Sequence, residues 1–550
     1  MKKIFITIGL VIFGAMLCSC DKQLTTSDAT KVDSSNFTGS TAGLNQILTS
    51  TYKGFLMGDA DSQPGASYQG VGGFLMLYDL MGSDCIVNKN YGSSPEPIYC
   101  FTSSRTQATG DADYIWSRMY NVINQCNIIL YNVADASGSD AEKNALRGQA
   151  LAMRGYCYFQ LLLNYQQTYA IAKDKRGVIL RLSPDQDANL GFSTVAQCYD
   201  QVVSDLKEAE SALASFKRSE RWELDATVAA GMLARVYQVM GNWDGAYTEA
   251  KKAYDVYGTL MDKDMWCSGM DKLMANNCPE LIWGIKYTQT SNISSNTIFN
   301  NWWNFDPSYG EGMMTGPLYH FLCILVDQSY VDLFDGQDYR GTKCDKTENV
   351  TDEDERGVMF WHRTHSGWID VPQKWAYNKL KSYGDGSYEG HTNANHPYGI
   401  DIPMMRGSEM LLIMAEAKAN LGQSSEAVQL LQTLQNARNV KTPTTTTAKT
   451  ELLEAIYVER RKELLGEGVT GSYDLLRLQK PLIRYAATAS NPAGHFSWGL
   501  TELDGYNGAD KQPVGRLESN DYRFICQIPQ LEITNNEAVS QSDQNPFKGQ

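Results

Sequence analysis

The chain contains no C-x-x-C pair, no block of lysines and arginines, and no later apolar run long enough to cross a bilayer. The missing C-x-x-C removes the spacing on which zinc ribbons and thioredoxin-like redox sites are built. The missing basic block, with a formal charge of −15, argues against nucleic-acid binding, which depends on Lys and Arg neutralising phosphates. The apolar run Tyr319–Val326 falls well short of the ~20 residues a membrane helix needs.

Enzyme fingerprints are missing too. No P-loop, Rossmann glycine pattern, G-x-S-x-G elbow or H-E-x-x-H signature occurs. His362 and His365 lie in a Gly- and Trp-rich stretch, and His391 and His396 are flanked by Asn and Gly. Surface or hydrogen-bonding roles are expected for all four rather than metal ligation. Asp352, Glu353, Asp354 and Glu355 read as a solvated turn, since glycosidase carboxylates need a fixed separation across a cleft. The expectation is a non-enzyme with no cofactor and no metal.

What is present is a globular composition: 43% hydrophobic, 20% charged, with 31 Tyr and 11 Trp. A chain of 550 residues exceeds the usual single core, so one large composite domain or a few lobes are expected. Of twelve cysteines, Cys18 and Cys20 sit near the N-terminus and the rest are scattered singly from Cys85 to Cys526. Scattered cysteines read as small buried hydrophobes. Disulfides stay open in an oxidising compartment, with a connectivity that spacing does not give.

Met1-Lys2-Lys3 is a positive n-region, and Ile4–Leu17 is an apolar h-region too short to span a membrane comfortably. It ends in Leu17-Cys18-Ser19-Cys20, which looks like a bacterial lipoprotein box with Cys20 as the lipid-accepting thiol. An ordinary cleaved signal or a short anchor is the competing reading. Residues 1–19 are therefore expected as a signal peptide; their removal takes away Lys2 and Lys3 and leaves −17. Acyl chains on Cys20 would anchor the protein, each buried methylene contributing ~0.8 kcal/mol. Residues 20–40 are polar and read as a flexible tether.

Helical periodicity dominates the body. Residues 42–56, 113–133, 141–165 and 193–214 carry apolar residues at helical spacing, as does 450–465. Two stretches, Asp225–Tyr257 and Met404–Arg438, read as helical hairpins. Gly241 and Gly422 stand where left-handed C-terminal caps are wanted. Ser424 is placed to cap the helix after Gly422, with Glu426 in its first turn. Ala234 and Ala415 each lie seven residues before the glycine, and Ala246 and Ala427 five after it. Small residues there let antiparallel helices approach closely. The matched spacing favours a tetratricopeptide (TPR)-like scaffold, although any single copy could be an ordinary helix pair.

The middle, about 258–402, is rich in Gly, Asn, Trp, Tyr and turns, with Leu281–Ile285 as a short strand. Such an insertion is long for a structureless loop and reads as functional or a small subdomain. Aromatic rings offer flat apolar faces to the C–H face of a sugar, and Asn, Asp and Arg satisfy its hydroxyls. Two stretches supply both: Asn88, Asn90, Tyr91 and Tyr99 in one, and Trp302, Trp303, Asn304 and Tyr309 in the other. Each stretch could equally be a local minicore. Trp361 and Trp368 are reserves.

Taken together these pieces resemble the SusD/RagB outer-membrane lipoproteins of Bacteroidetes over nearly the whole chain. Trp116–Leu130 resembles that family's W-x-x-x-Y-x-x-I-x-x-x-N helix, with Asn127 as the Asn. Arg406, Glu409 and Ala415-Glu416-Ala417 resemble its Arg-x-x-Glu and Ala-Glu-Ala segment, and Glu459–Leu464, Glu467-Gly468 and Asp474-Leu475 its Glu-Arg-Arg and Glu-Gly…Asp-Leu signature. Ile528-Pro529-Gln530 and Gln544-Asn545-Pro546 resemble its C-terminal end. Two departures stand out: Val469–Tyr473 lacks the usual Arg, and Asn536-Glu537 replaces Asn-Pro. The charged signature reads as structural: Glu459 can pair with Lys462, or Glu463 with Arg460, across a helical turn.

The resemblance implies a mainly α fold. A TPR-like helix-pair scaffold (about 41–257 and 403–550) would carry a loop-rich ligand-binding insertion. It also implies glycan capture through the two aromatic loops and delivery to a SusC-like TonB-dependent transporter from a lipid anchor in the outer membrane at the cell surface. Peptide binding, as in RagB-type members, or a TPR-like protein-interaction scaffold are the alternatives.

Overall fold

The computed structural model describes residues 37–57, 70–87, 96–102, 106–107, 110–267, 270, 273–274, 277–287, 324–341, 355–356, 360–362, 375–377, 379, 400–506 and 514–547. The leader, Cys20 and nearly all of the tether lie outside these residues.

The fold is mainly helical. Its long helices are α1 (Thr41–Met57), α2 (Gly70–Leu80), α3 (Gly110–Asn132), α4 (Asp140–Tyr165), α5 (Val195–Ala212), α6 (Ala226–Met240), α7 (Trp243–Tyr257), α8 (Gly407–Asn420), α9 (Ser424–Ala437) and α10 (Lys449–Leu464). Each packs chiefly on the next: α3 on α4, α4 on α5, α5 on α6 and α6 on α7. The array then continues from α7 directly to α8, and α8 meets α9 and α10. Residues 258–406 thus lie, in sequence, between two helices that touch.

Local signals explain the helix ends. Ser139 and Glu142 form a capping box at the start of α4, and Thr194 and Gln197 do so for α5. Gly241 and Gly422 are left-handed, at φ 72° and 79°, as a tight hairpin demands. Ser424 does not cap its helix: it is already the first helical residue, Gln423 precedes it, and no side chain caps that end. Ala234, Ala246, Ala415 and Ala427 are all fully buried, as close helix approach predicts. Gly148 of α4 permits a similar approach, since a Cβ there would stand 2.4 Å from Leu213 Cγ.

Two helices depart from the simple one-stripe pattern. α8 buries Met410 to Ala415 without interruption, being covered on every side, whereas Leu421 just beyond it is exposed. In α2, Gly70, Gly72 and Gly73 do not break the helix; burial of Val71 and Leu75–Leu80 overrides their poor propensity.

The strands lie in three small sheets. The first orders β1 (Cys85–Val87), β3 (Ile324–Val326), β6 (Trp375–Tyr377), β5 (Phe360–His362) and β4 (Glu355–Arg356). Glu355, Trp361 and His362 therefore stand in paired strands rather than in a turn or loop. The second pairs β2 (Leu281–Tyr287) with β7 (Ile400–Arg406), closing the middle segment back onto the scaffold. The third pairs β8 (Leu482–Tyr485) with β9 (Val514–Leu517). The tail is not fully extended, because Gln530–Asn535 forms a short helix. Cys85, Cys100, Cys126, Cys157, Cys198, Cys278 and Cys526 are free and buried, in keeping with a packing role.

Candidate functional site

Seven of the eight residues singled out for ligand contact, Asn88, Asn90, Tyr91, Trp302, Trp303, Asn304 and Tyr309, lie outside the described residues, as do Trp368, His365, His391 and His396. The strands that lead into their segments are described, and they meet. β1 runs antiparallel to β3 with Cys85 opposite Val326, Ile86 opposite Leu325 and Val87 opposite Ile324. Val87 is the last residue before the Asn88–Tyr91 stretch. Ile324 comes fifteen residues after Tyr309. The ladder thus pairs Val87, next to the first stretch, with Ile324, downstream of the second and more than two hundred residues away in sequence.

Tyr99, the eighth residue, is placed otherwise than expected. It is fully buried, and its ring stacks on His495 and meets Trp498 edge-on. The Arg484 guanidinium covers it at 4.0 Å. Its hydroxyl bonds His495 Nδ1 at 2.5 Å. A sugar platform needs an open face, so Tyr99 is a packing residue that fixes the far end of the first loop. Its aromatic type and Gly/Pro-rich surroundings pointed to exposure; the residues that bury it come from 484–498 and gave no local signal.

Around Tyr99 the root is locked by hydrogen bonds. Arg484 donates to the carbonyls of Leu80, Gly82 and Tyr99 at 2.8, 3.1 and 2.7 Å. His495 Nε2 lies 2.9 Å from the carbonyl of Ser83. Arg461 of α10 forks onto Asp84, whose carbonyl accepts the Asp327 N–H at 2.9 Å, so both strands of the ladder are held to the scaffold. Asp79, fully buried beneath, accepts from Thr470 and from the Gly466 N–H. Burial pushes its carboxyl up to about 7 despite those donors.

Below the ladder lies a buried charge junction. Among the described residues Arg340, Lys379, Arg406, Arg438 and Lys462 face Glu280, Asp338, Glu459, Glu463 and Glu467, five cations against five carboxylates. Glu463 is its hub: it accepts from Arg340, Arg406 and Arg438, each at 2.9 Å. Burial works against its charge, but Arg438 and Arg406 outweigh this and hold it well below the usual carboxylate range. Burial pulls the Lys379 ammonium down to about 8, against the attraction of Glu467. Trp266 lies beneath Arg438, Arg406 and Lys379 at 4.7, 5.3 and 5.4 Å. Arg460 does not pair with Glu463; it reaches Asp474 at 3.0 Å. Each of these charges is paired with another protein group, which makes the junction a fastener between α8–α10 and the Glu280, Asp338, Arg340 and Lys379 positions of the middle segment.

The aromatic helix motif is likewise structural. Trp116 Nε1 donates to Glu532, Tyr120 to the carbonyl of Ile179, and Asn127 bridges the carbonyl of Arg181 and Arg154. Arg154 in turn forks onto Asp205 with two 2.7 Å bonds. Glu409 and Arg235 form a similar fork at 2.6 Å between α8 and α6.

Sequence reading missed a polar cleft of about 410 Å³ where the end of α4 meets the C-terminal segment; Gln167, Lys175, Arg176, Tyr522, Asp543 and Asn545 are among its lining residues. Among the described residues no cluster of three or more His, Cys, Asp and Glu is placed to hold a metal ion, and no helix is long and apolar enough to cross a membrane.

Two family models match the chain, over well more than half of it together. Residues 82–238 match a SusD-like family described as starch-binding and associating with the outer membrane, and residues 333–547 match the SusD family. The chain belongs to the SusD/RagB family. Solved structures share its fold along nearly its full length. A SusD-like carbohydrate-binding protein from Bacteroides vulgatus is 24% identical, covering 93% of this chain and 99% of its own, with a TM-score of 0.71. A SusD superfamily protein from Bacteroides thetaiotaomicron is 23% identical, covering 92% and 100%, with a TM-score of 0.68. A laminarin-binding SusD-like protein is 17% identical, covering 92% and 99%, with a TM-score of 0.64. No curated protein matches the sequence.

Proposed function

We propose that this protein is a non-catalytic, cell-surface glycan-binding lipoprotein. It captures oligosaccharides through the Asn88–Tyr91 and Trp302–Tyr309 segments and passes them to a SusC-like TonB-dependent transporter, with Cys20 carrying the lipid that holds it at the outer membrane. The observation that supports this reading is the β1–β3 ladder, which sets Val87, the neighbour of Asn88, beside Ile324, downstream of the Trp302–Tyr309 segment. Trp, Tyr and Asn brought together can offer stacking faces and hydroxyl partners to one sugar chain. The carbohydrate-binding and laminarin-binding relatives support the same class of ligand. The spending of the buried carboxylates on arginines supports a binding role over hydrolysis.

A glycan array tests the reading. The wild type binds a restricted set of oligosaccharides, and Trp302→Ala with Trp303→Ala abolishes that binding while the protein stays folded. Unchanged binding in the double variant, or binding to peptides and not glycans, overturns it. Release of reducing ends by the pure protein overturns the non-catalytic part, and surface labelling that persists in Cys20→Ala overturns the anchor.

A further inference from the structure

The cleft at the end of α4 is built around Arg176, a cation that makes no ion pair among the described residues. Arg176 stacks on Phe192 at 4.6 Å, and it donates to the carbonyl of Gly177 at 3.2 Å and to Asn545 Oδ1. Those two bonds leave three of its five donors unused, and among the described residues no acid lies within ion-pair distance. Asn545 cannot move to serve it further, because its amide donates to the carbonyls of Tyr165 and Cys526 at 2.7 Å each. Lys175 lines the same cleft, exposed and without an ion pair. Asp543 is the acid in the wall, and its Oδ2 is turned to the Ser540 N–H at 2.8 Å. Gln167, 9% exposed, spends its amide nitrogen on the carbonyls of Asn520 and Asp521 and leaves its Oε1 without a partner. Tyr522 adds a half-buried ring.

We propose that this cleft is a second ligand site that takes an anionic sugar residue, its carboxylate or sulfate held by Arg176 and Lys175. A partly buried cation that keeps free donors gains most from an ionised acceptor, and the forked guanidinium suits a planar carboxylate or a sulfate. Burial pulls the Arg176 charge down to about 10, only partly offset by Asp543, the cost an incoming anion would relieve. The space, about 410 Å³, lies within the roughly 300–1,000 Å³ typical of small-ligand sites. The unpaired Gln167 Oε1, the exposed Asn520 and the Tyr522 ring beside the cation supply partners for hydroxyls and a ring face. In a chain of formal charge −15 a net cationic cleft stands out. The sugar part of this assignment rests on the glycan-binding proposal; the anion pairing does not.

Isothermal titration of the purified full chain in detergent at low salt tests it, with D-glucuronate, D-glucose and inorganic sulfate as separate probes. Glucuronate binds, glucose does not, and Arg176→Gln weakens glucuronate by about tenfold or more. Lys175→Gln, at an exposed and unpaired position, causes a smaller loss of roughly two- to fivefold that fades with added salt. It serves where Arg176→Gln unseats the tail. The Trp302→Ala, Trp303→Ala double variant keeps full glucuronate binding, so failure of the loop reading and failure of the cleft are told apart. Sulfate binding without glucuronate binding overturns the sugar assignment. Binding of neither glucuronate nor sulfate by about 10 mM, or wild-type binding in both cation variants, overturns the site.

Discussion

The helical array and the junction beneath the ladder are held together by opposite means. Between α4 and α7 the contacts are chiefly apolar stripes, small residues and caps, readable within a few turns of sequence, with the buried Arg154–Asp205 pair pinning α4 to α5. Between α8–α10 and the middle segment the contact is a dry set of paired charges around Glu463 and Arg406. Apolar packing tolerates small losses by local collapse, but a buried pair that loses one member leaves an uncompensated charge. The difference teaches where the middle segment gets its fixed position: it is clamped by charge where the array is glued by burial.

The sharpest way to break the comparison is Glu463→Gln. Three arginines would lose their common acceptor, and unfolding stability should fall by roughly 3–5 kcal/mol or more in denaturant titration. Since the folded Glu463 carboxyl is held well below its usual range, its contribution is present above the ordinary carboxylate value and is lost as pH falls. Wild type and variant should therefore converge in acid. A loss under 1 kcal/mol at neutral pH would remove the distinction.

In the array, Leu431→Ala on α9 deletes a fully buried side chain, and about 2–4 kcal/mol is expected by the same titration. This loss should not depend on pH, which separates it from the first.

Asp79 sharpens the boundary between the regimes, being a buried acid with hydrogen bonds but no ion pair. Its folded value, raised to about 7, means that the fold favours the protonated form. Its stabilising contribution is therefore full below the ordinary carboxylate value and is lost as pH rises through about 7. Between pH 5 and 8 the wild type should lose stability relative to Asp79→Asn, by an amount on the order of a few kcal/mol, read as melting midpoint against pH. A constant difference across that range would contradict the assignment.

These regimes also explain what could be read from the sequence. The helices of the array announced themselves through Leu431, Leu434 and Ala427 at helical spacing and through Gly241 and Gly422 at the turns. The junction did not, because Arg340 lies in a turn-rich stretch and its partners Glu459 and Glu463 come from a helix more than a hundred residues on. Intrahelical spacing suggested Glu463 with Arg460; the longer-range arginines took Glu463 and left Arg460 to Asp474. Strands of three residues, such as β1 and β3, are too short for alternation to be seen, so the register that pairs them was invisible. Tyr99 misled because aromatic type alone does not report burial.

We propose that the segments Asn88–Tyr91 and Trp302–Tyr309, flanked by the paired residues Val87 and Ile324, form one site. A double-mutant cycle on glycan affinity, with Tyr91→Ala and Trp302→Ala singly and together, tests it most directly. A shared site predicts a coupling of about 0.5 kcal/mol or more between the two losses. Losses that add to within about 0.3 kcal/mol, or a Tyr91→Ala protein that binds as the wild type does, would contradict it.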